Sequence, residues 1–178
     1  VTAVLLVATI GPRPDLAAKV MTAPVIAKLA FGASIAGIAL FLFQRSLRPG
    51  LKPKPWLPLV LIPIGLVLAA ALVTLARAPA EQWQALIFGH YWRSCLVNVP
   101  LLALCPLVAL TGLARQGAPA DPPFTGLCAG LAAAGLAIIA YALHCPDDTL
   151  PFLAAWYTLA VAIVAIVAGV TVSRFLRW

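Results

Sequence analysis

The chain has 178 residues, of which 63% are hydrophobic and only 10% charged. Soluble domains hold about 45–50% apolar and about 25% charged residues, so a water-soluble globular fold is excluded. Net charge is +7, from 12 Lys+Arg against 5 Asp+Glu; no basic stripe interleaved with exposed aromatics accompanies it, so direct nucleic-acid binding is not expected.

A bilayer core about 30 Å thick takes roughly 20 apolar residues to cross as a helix. Val1 to Ile10 is too short to span and carries no basic n-region. It reads as the end of a first helix, truncated at its N-terminus, with an upstream cytoplasmic segment absent. The breaker cluster GPRP, Gly11 to Pro14, leads into a short amphipathic stretch with Asp15 and Lys19. A second span is predicted over Val25–Phe43, with Lys28 near its start and long enough to snorkel to the interface. A basic, Pro-rich loop, Gln44–Pro55, carries Arg45, Arg48, Lys52 and Lys54. The third span, Trp56–Ala76, contains Pro58 and Pro63; a loop with Arg77, Glu81 and Trp83 runs on to Gly89. The fourth span, Tyr91–Leu113, contains Pro100 and Pro106, and all four prolines are expected to kink their helices. After the Arg115–Pro123 turn comes a fifth span, Phe124–Leu143, then the HCPDD loop, His144–Asp148, and a last span, Phe152–Val172.

The runs are continuously apolar rather than alternating, so the expected fold is all-α. It is a polytopic helical membrane bundle of six transmembrane helices, the first truncated, forming one integral membrane domain over residues 1–178. Arg45, Arg48, Lys52, Lys54, Arg115, Arg174 and Arg177 fall on one side. Arg13, Lys19, Lys28, Arg77 and Arg93 fall on the other, where HCPDD itself has no base. The richer side reads as cytoplasmic and HCPDD as outward-facing, with both termini inside. Trp56, Tyr91, Trp92, Trp156 and Tyr157 lie at predicted helix ends, where interface aromatics belong.

Two of the four cysteines stand out. Cys95, one turn into the fourth span, and Cys145, after the fifth, are fifty residues apart yet predicted at one depth near the outward face. Antiparallel neighbouring helices could bring them within the separation of roughly 7 Å between Cα atoms that a disulfide needs. Three readings stand: reversible redox or metal sensing, a static disulfide, or plain packing of two thiols. His90, His144, Asp147 and Asp148 crowd the same side. Two thiolates with His90 or His144 would suit a soft ion such as zinc or cadmium, bound transiently rather than as a resident cofactor. Asn98, three residues after Cys95 on one helix face, is a candidate support for the pair. Cys105 and Cys128 read as inert packing. No ionisable pair lies mid-span, which argues against a coupled transporter. No nucleotide loop, HExxH or GxSxG motif occurs, and nothing marks an enzyme.

The stretches YWRSCLVNVPLLAL (Tyr91–Leu104) and YALHCPDDTLPFLAAWYTL (Tyr141–Leu159), with GPRPDL (Gly11–Leu16), resemble the NrsF family of membrane-bound anti-sigma factors. The resemblance implies an inner-membrane protein that sequesters an extracytoplasmic-function sigma factor and releases it on heavy-metal or oxidative stress. It maps the family's two characteristic cysteines onto Cys95 and Cys145. It also implies that the sigma factor is gripped by the missing N-terminal segment, with the cytoplasmic loops as a further contact surface and lipid as the other partner. The rival classes are a quinone-linked membrane thiol-redox protein, which would want a CxxC dithiol, and a small transporter or channel.

Overall fold

The fold is known from a computed structural model. It describes Gly11, Arg13 and residues 15–176. The first apolar stretch, Val1–Ile10, and Arg177 lie outside the described residues. Every regular element among the described residues is helical, and five helical segments are long and apolar enough to cross a membrane. We label the long helices α1 (Ala23–Ser46), α2 (Leu61–Arg77), α3 (Trp92–Gln116), α4 (Pro122–Ala142) and α5 (Leu150–Phe175).

Boundaries follow local chemistry. Asp121 caps α4, its Oδ1 accepting from Phe124 N at 3.0 Å, with Pro122 and Pro123 opening the first turn. Thr149 starts α5, its hydroxyl accepting from Phe152 N at 3.3 Å. The closely spaced prolines 53, 55 and 58 convert the expected start of the third span into a 3-10 helix, Lys54–Val60. Pro63 then sits in the first turn of α2, where a missing N–H costs nothing. α3 runs unbroken through Pro100 and Pro106. The segment expected to be a loop before Gly89 contains a short helix, Trp83–Phe88. Trp83 Nε1 donates to Leu75 O at 3.0 Å and so covers the open C-terminal end of α2. A π-helical segment, Leu153–Tyr157, widens the start of α5.

The bundle is organised around α4, which packs against α1, α3 and α5. Lipid tails are as apolar as leucine, so close approach of backbones, rather than water exclusion, decides which helix is central. α4 has the residues for this. A Cβ on Gly126 would sit 2.7 Å from Ala168 O, and one on Gly130 would sit 2.6 Å from the Ala168 Cβ, both on α5. One on Gly135 would sit 2.6 Å from Ala36 N on α1. Gly126 and Gly130 form a GxxxG pair against α5. By contrast, only Pro63 and Ala71 of α2 are buried, and Leu66 and Leu72 are exposed to the surroundings. α2 is the peripheral, lipid-facing helix.

Substituting Gly135→Val should therefore force α1 off α4 and lower stability by about 1–3 kcal/mol. Gly37→Ala, with nothing within 4 Å of the new carbon, should stay within about 0.5 kcal/mol of the parent. Thermal unfolding in detergent micelles compares the two.

Candidate functional site

The HCPDD loop joins α4 to α5 at one end of the bundle. Cys145 N donates to Tyr141 O at 3.0 Å, continuing the last turn of α4 into the loop. This points the Cys145 side chain inward, and the residue is 0% exposed. Cys95, in the first turn of α3, is also fully buried. Both are free thiols. Both belong to the buried core cluster that also holds Tyr141 of α4, Tyr157 of α5 and Phe152, and both lie at the end of the bundle where the HCPDD loop meets the start of α3. The Tyr141 and Tyr157 rings stand 6.0 Å apart. Both hydroxyls are buried with no hydrogen-bond partner among the described residues. Tyr157, expected as an interface aromatic, is instead part of this pocket because the π-helical segment turns it inward.

The loop is fixed from two directions. On one side Asp148 holds two cations. Arg13 Nη1 and Nη2 donate to its two oxygens at 3.0 Å each, and Lys28 Nζ donates to Oδ1 at 2.6 Å. Lys28 also donates to Cys145 O at 3.0 Å, and Arg13 N donates to Leu143 O at 3.1 Å. Arg13 further grips Asp15, with Nε to Oδ1 at 2.6 Å. Lys19 Nζ lies 3.3 Å from Asp15 Oδ2, so three cations meet two carboxylates. Lys28 is 0% exposed. It does not snorkel, because Asp148 and a loop carbonyl offer its ammonium better partners inside the bundle than the interface does.

On the other side Asp147 ties the loop to α3. Its Oδ2 accepts from His90 N at 2.9 Å and Tyr91 N at 2.7 Å, just before the helix that carries Cys95. An acid there also complements the positive end of α3. Gly89 makes the contact feasible. Its φ is +53°, and a Cβ would stand 2.5 Å from Asp147 Oδ2. Thr149 Oγ1 donates to Leu86 O at 2.7 Å and Trp156 Nε1 to Ile87 O at 2.7 Å, so the short helix before Gly89 is docked too. Trp92 and Trp156 stack above it, 4.9 Å apart.

The sequence-predicted residues therefore divide. Cys95, Cys145, Asp147 and Asp148 come together. His144 lies beside them, but its ring turns to the Gly11 segment, Nδ1 donating to Gly11 O at 2.8 Å. His90 is exposed and contributes its backbone N–H, not its imidazole. Neither histidine completes a ligand set with the thiols, and among the described residues no three His, Cys, Asp or Glu side chains are grouped to hold a metal ion. Asn98 is half-buried, and no hydrogen bond ties it to Cys95 among the described residues. Arg13, Lys28, Tyr141, Tyr157 and Gly89 belong to the site and were not anticipated there.

Over its whole length, residues 1–178, the chain matches the NrsF family, described as "Negative regulator of sigma F". It belongs to that family. A protein of Azospira oryzae named "Probable anti-sigma-F factor NrsF" is 33% identical over 175 residues, covering 98% of this chain and 82% of that protein. One of Caulobacter vibrioides named "Anti-sigma-F factor NrsF" is 32% identical over 169 residues, covering 93% of this chain and 78% of that one. No solved structure matches. The GPRPDL and HCPDD stretches that carried the resemblance are the two segments that Arg13, Asp15 and Asp148 join.

The electrostatics of the loop set its state. Burial pushes the Cys145 thiol above the ordinary cysteine value, so it rests protonated. Burial also pushes the Asp148 carboxyl up, but the hydrogen bonds from Arg13 and Lys28 outweigh this and hold it below the ordinary carboxylate value. A carboxyl with a depressed folded pKa contributes stability above its unfolded pKa of about 4 and loses it as pH falls through the folded value. The clamp should therefore be intact at neutral pH and weaken only in strong acid. Asp148→Asn removes that dependence and leaves two buried cations short of charge, at a cost of about 3–5 kcal/mol. Unfolding midpoints of parent and variant between about pH 2 and 7 should run parallel above about pH 4 and draw together below it; curves that stay parallel throughout would contradict the assignment.

Proposed function

We propose that the chain is an inner-membrane anti-sigma factor that sequesters an extracytoplasmic-function sigma factor and releases it when Cys95 and Cys145 react. Its family membership and the two relatives named as anti-sigma-F factors support the regulator. The observation that carries the trigger is the burial of two free thiols at one end of the bundle, beside a loop that is clamped to α1, α3 and the Gly11 segment.

The stimulus is oxidation or capture of a soft metal ion. In the first, two thiols give up two protons and two electrons to an oxidant and become one disulfide. In the second, a divalent soft ion displaces two thiol protons and is held by two sulfurs, without help from His90 or His144. Either product pulls the first turn of α3 towards the end of α4. Asp147 and Asp148 lie two and three residues after Cys145, so the movement loosens the carboxylates that hold α3 and Lys28. A trigger shifts an equilibrium only by its differential affinity for the two states. Here that difference is the geometry of the sulfur pair, which the resting clamp opposes and the released loop permits.

The HCPDD end faces outward, the periplasm in a Gram-negative cell, where thiol oxidation is favoured. The opposite end, with Arg45, Arg48, Lys52, Lys54, Arg115 and Arg174, faces the cytoplasm, where the sigma factor is held.

Cys95→Ser and Cys145→Ser, separately and together, should leave a sigma-dependent reporter silent at rest. They should reduce its induction by cadmium to the uninduced level. Unchanged induction in the double variant would sink the sensing reading while leaving the regulator intact.

A further inference from the structure

The end of the bundle opposite the thiols has a cavity of about 350 Å³ between the 47–55 loop and the start of α4. Arg48, Lys52 and Lys54 ring it, with Leu51 and Phe124 as apolar wall. Asp121 is its only acid, and that carboxylate is held by Lys54 at 2.5 Å. Among the described residues Arg48 and Lys52 have no acidic partner within salt-bridge distance, so the cavity has a surplus of two positive charges. An adjoining cavity lined by Arg45, Arg48 and Leu51 adds a third.

Two apolar grooves leave this cavity, and both begin at Lys54. One, of about 460 Å³, passes Phe124 and runs between α4 and α5 along Leu127, Ile166, Gly169 and Val170. Gly169 keeps it open, since even a Cβ there would touch Pro123 and Leu127. The other, of about 380 Å³, follows the 3-10 helix along Leu57, Pro58, Val60 and Leu61. Ile166, Val170 and Leu61 are each more than half exposed and belong to the lipid-facing surface. Trp56, 50% exposed beside Lys54, marks the headgroup level.

A cationic chamber at headgroup depth with two apolar channels below it has the outline of a two-tailed anionic lipid. We propose that this is a binding site for one anionic phospholipid, its phosphate among Arg48, Lys52 and Lys54 and its acyl chains in the two grooves. Basic pockets between membrane helices take such headgroups. The grooves select a lipid over a free phosphate or an acidic peptide, neither of which has anything to place in them. A bound lipid would also bridge the loop after α1, the start of α2, and the α4–α5 pair, joining peripheral α2 to the central helices.

The test is native mass spectrometry of the full chain, delipidated and then offered equal amounts of phosphatidylglycerol and phosphatidylcholine with identical chains. The expected result is one phosphatidylglycerol retained per chain and phosphatidylcholine lost. Each of Arg48→Gln and Lys52→Gln should weaken retention about fivefold. Gly169→Leu should weaken it with all charges in place. Equal retention of the two lipids by the parent protein overturns the proposal without recourse to any variant. Displacement of the lipid by equimolar inorganic phosphate would make this a soluble-anion site, and displacement by purified sigma factor would make it a protein interface; either contradicts the proposal.

Discussion

A lysine ammonium with no exposure to solvent needs a counter-charge, and Lys28 has one source of it, the carboxylate of Asp148. Most of the site's geometry follows from that requirement. The two partners are 120 positions apart, and the chain between them includes four of the five long helices in whole or part, so their pairing closes the bundle on itself. Asp148 must point inward, which sets the loop path. The loop path buries Cys145 and leaves the neighbouring Asp147 to reach α3. Arg13 adds a second cation, and Asp15 a second carboxylate, which Lys19 also reaches. Half of this cluster would be costly, because a buried charge without its partner is strongly destabilising. As a complete set it specifies which segments meet rather than adding much net stability.

That arrangement makes the loop a junction between chemistry and shape. Cys145, Asp147 and Asp148 lie within four residues. Their side chains reach the buried core, the N-terminal end of α3, and Lys28 of α1 with Arg13 of the Gly11 segment, respectively. A change at the sulfur cannot be absorbed by the side chain alone, since Cys145 is fully enclosed and its carbonyl is itself held by Lys28. In the proposed mechanism, displacement is passed to the two acids, and so to two helices at once. The tyrosine hydroxyls beside the thiols add to this sensitivity. They are polar, buried and lack an oxygen or nitrogen partner, so the resting pocket is less well satisfied than the bundle around it.

The helices were legible in the sequence because apolar runs of spanning length have few alternatives. The shared depth of Cys95 and Cys145 was legible for the same reason, since counting spans fixes which ends lie together. The hub was harder to see. α2 is more apolar than α4, yet α2 faces lipid and α4 is almost wholly enclosed. In a membrane, hydropathy does not separate core from surface. The small residues do, and the GxxxG pair Gly126 and Gly130 was the available signal. The ion cluster was not legible, because Arg13 and Asp148 are 135 residues apart. A lysine inside an apolar run and two acids in a loop without a base were the hints. Snorkelling is the ordinary fate of such a lysine, and only the fold shows that Asp148 lies within its reach. Tyr157 was misplaced for a local reason: the π-helical segment rotates it from the interface to the interior.

The central claim is that reaction of one sulfur pair, at the clamped end of the bundle, releases the partner at the other. The direct measurement is peptide mapping of the full-length protein, isolated from oxidant-treated membranes without reduction, alongside the amount of sigma factor that copurifies. The account predicts a Cys95–Cys145 linked peptide that rises as the sigma factor is lost. Release with both thiols unmodified, or with cross-links only at Cys105 or Cys128, would contradict it.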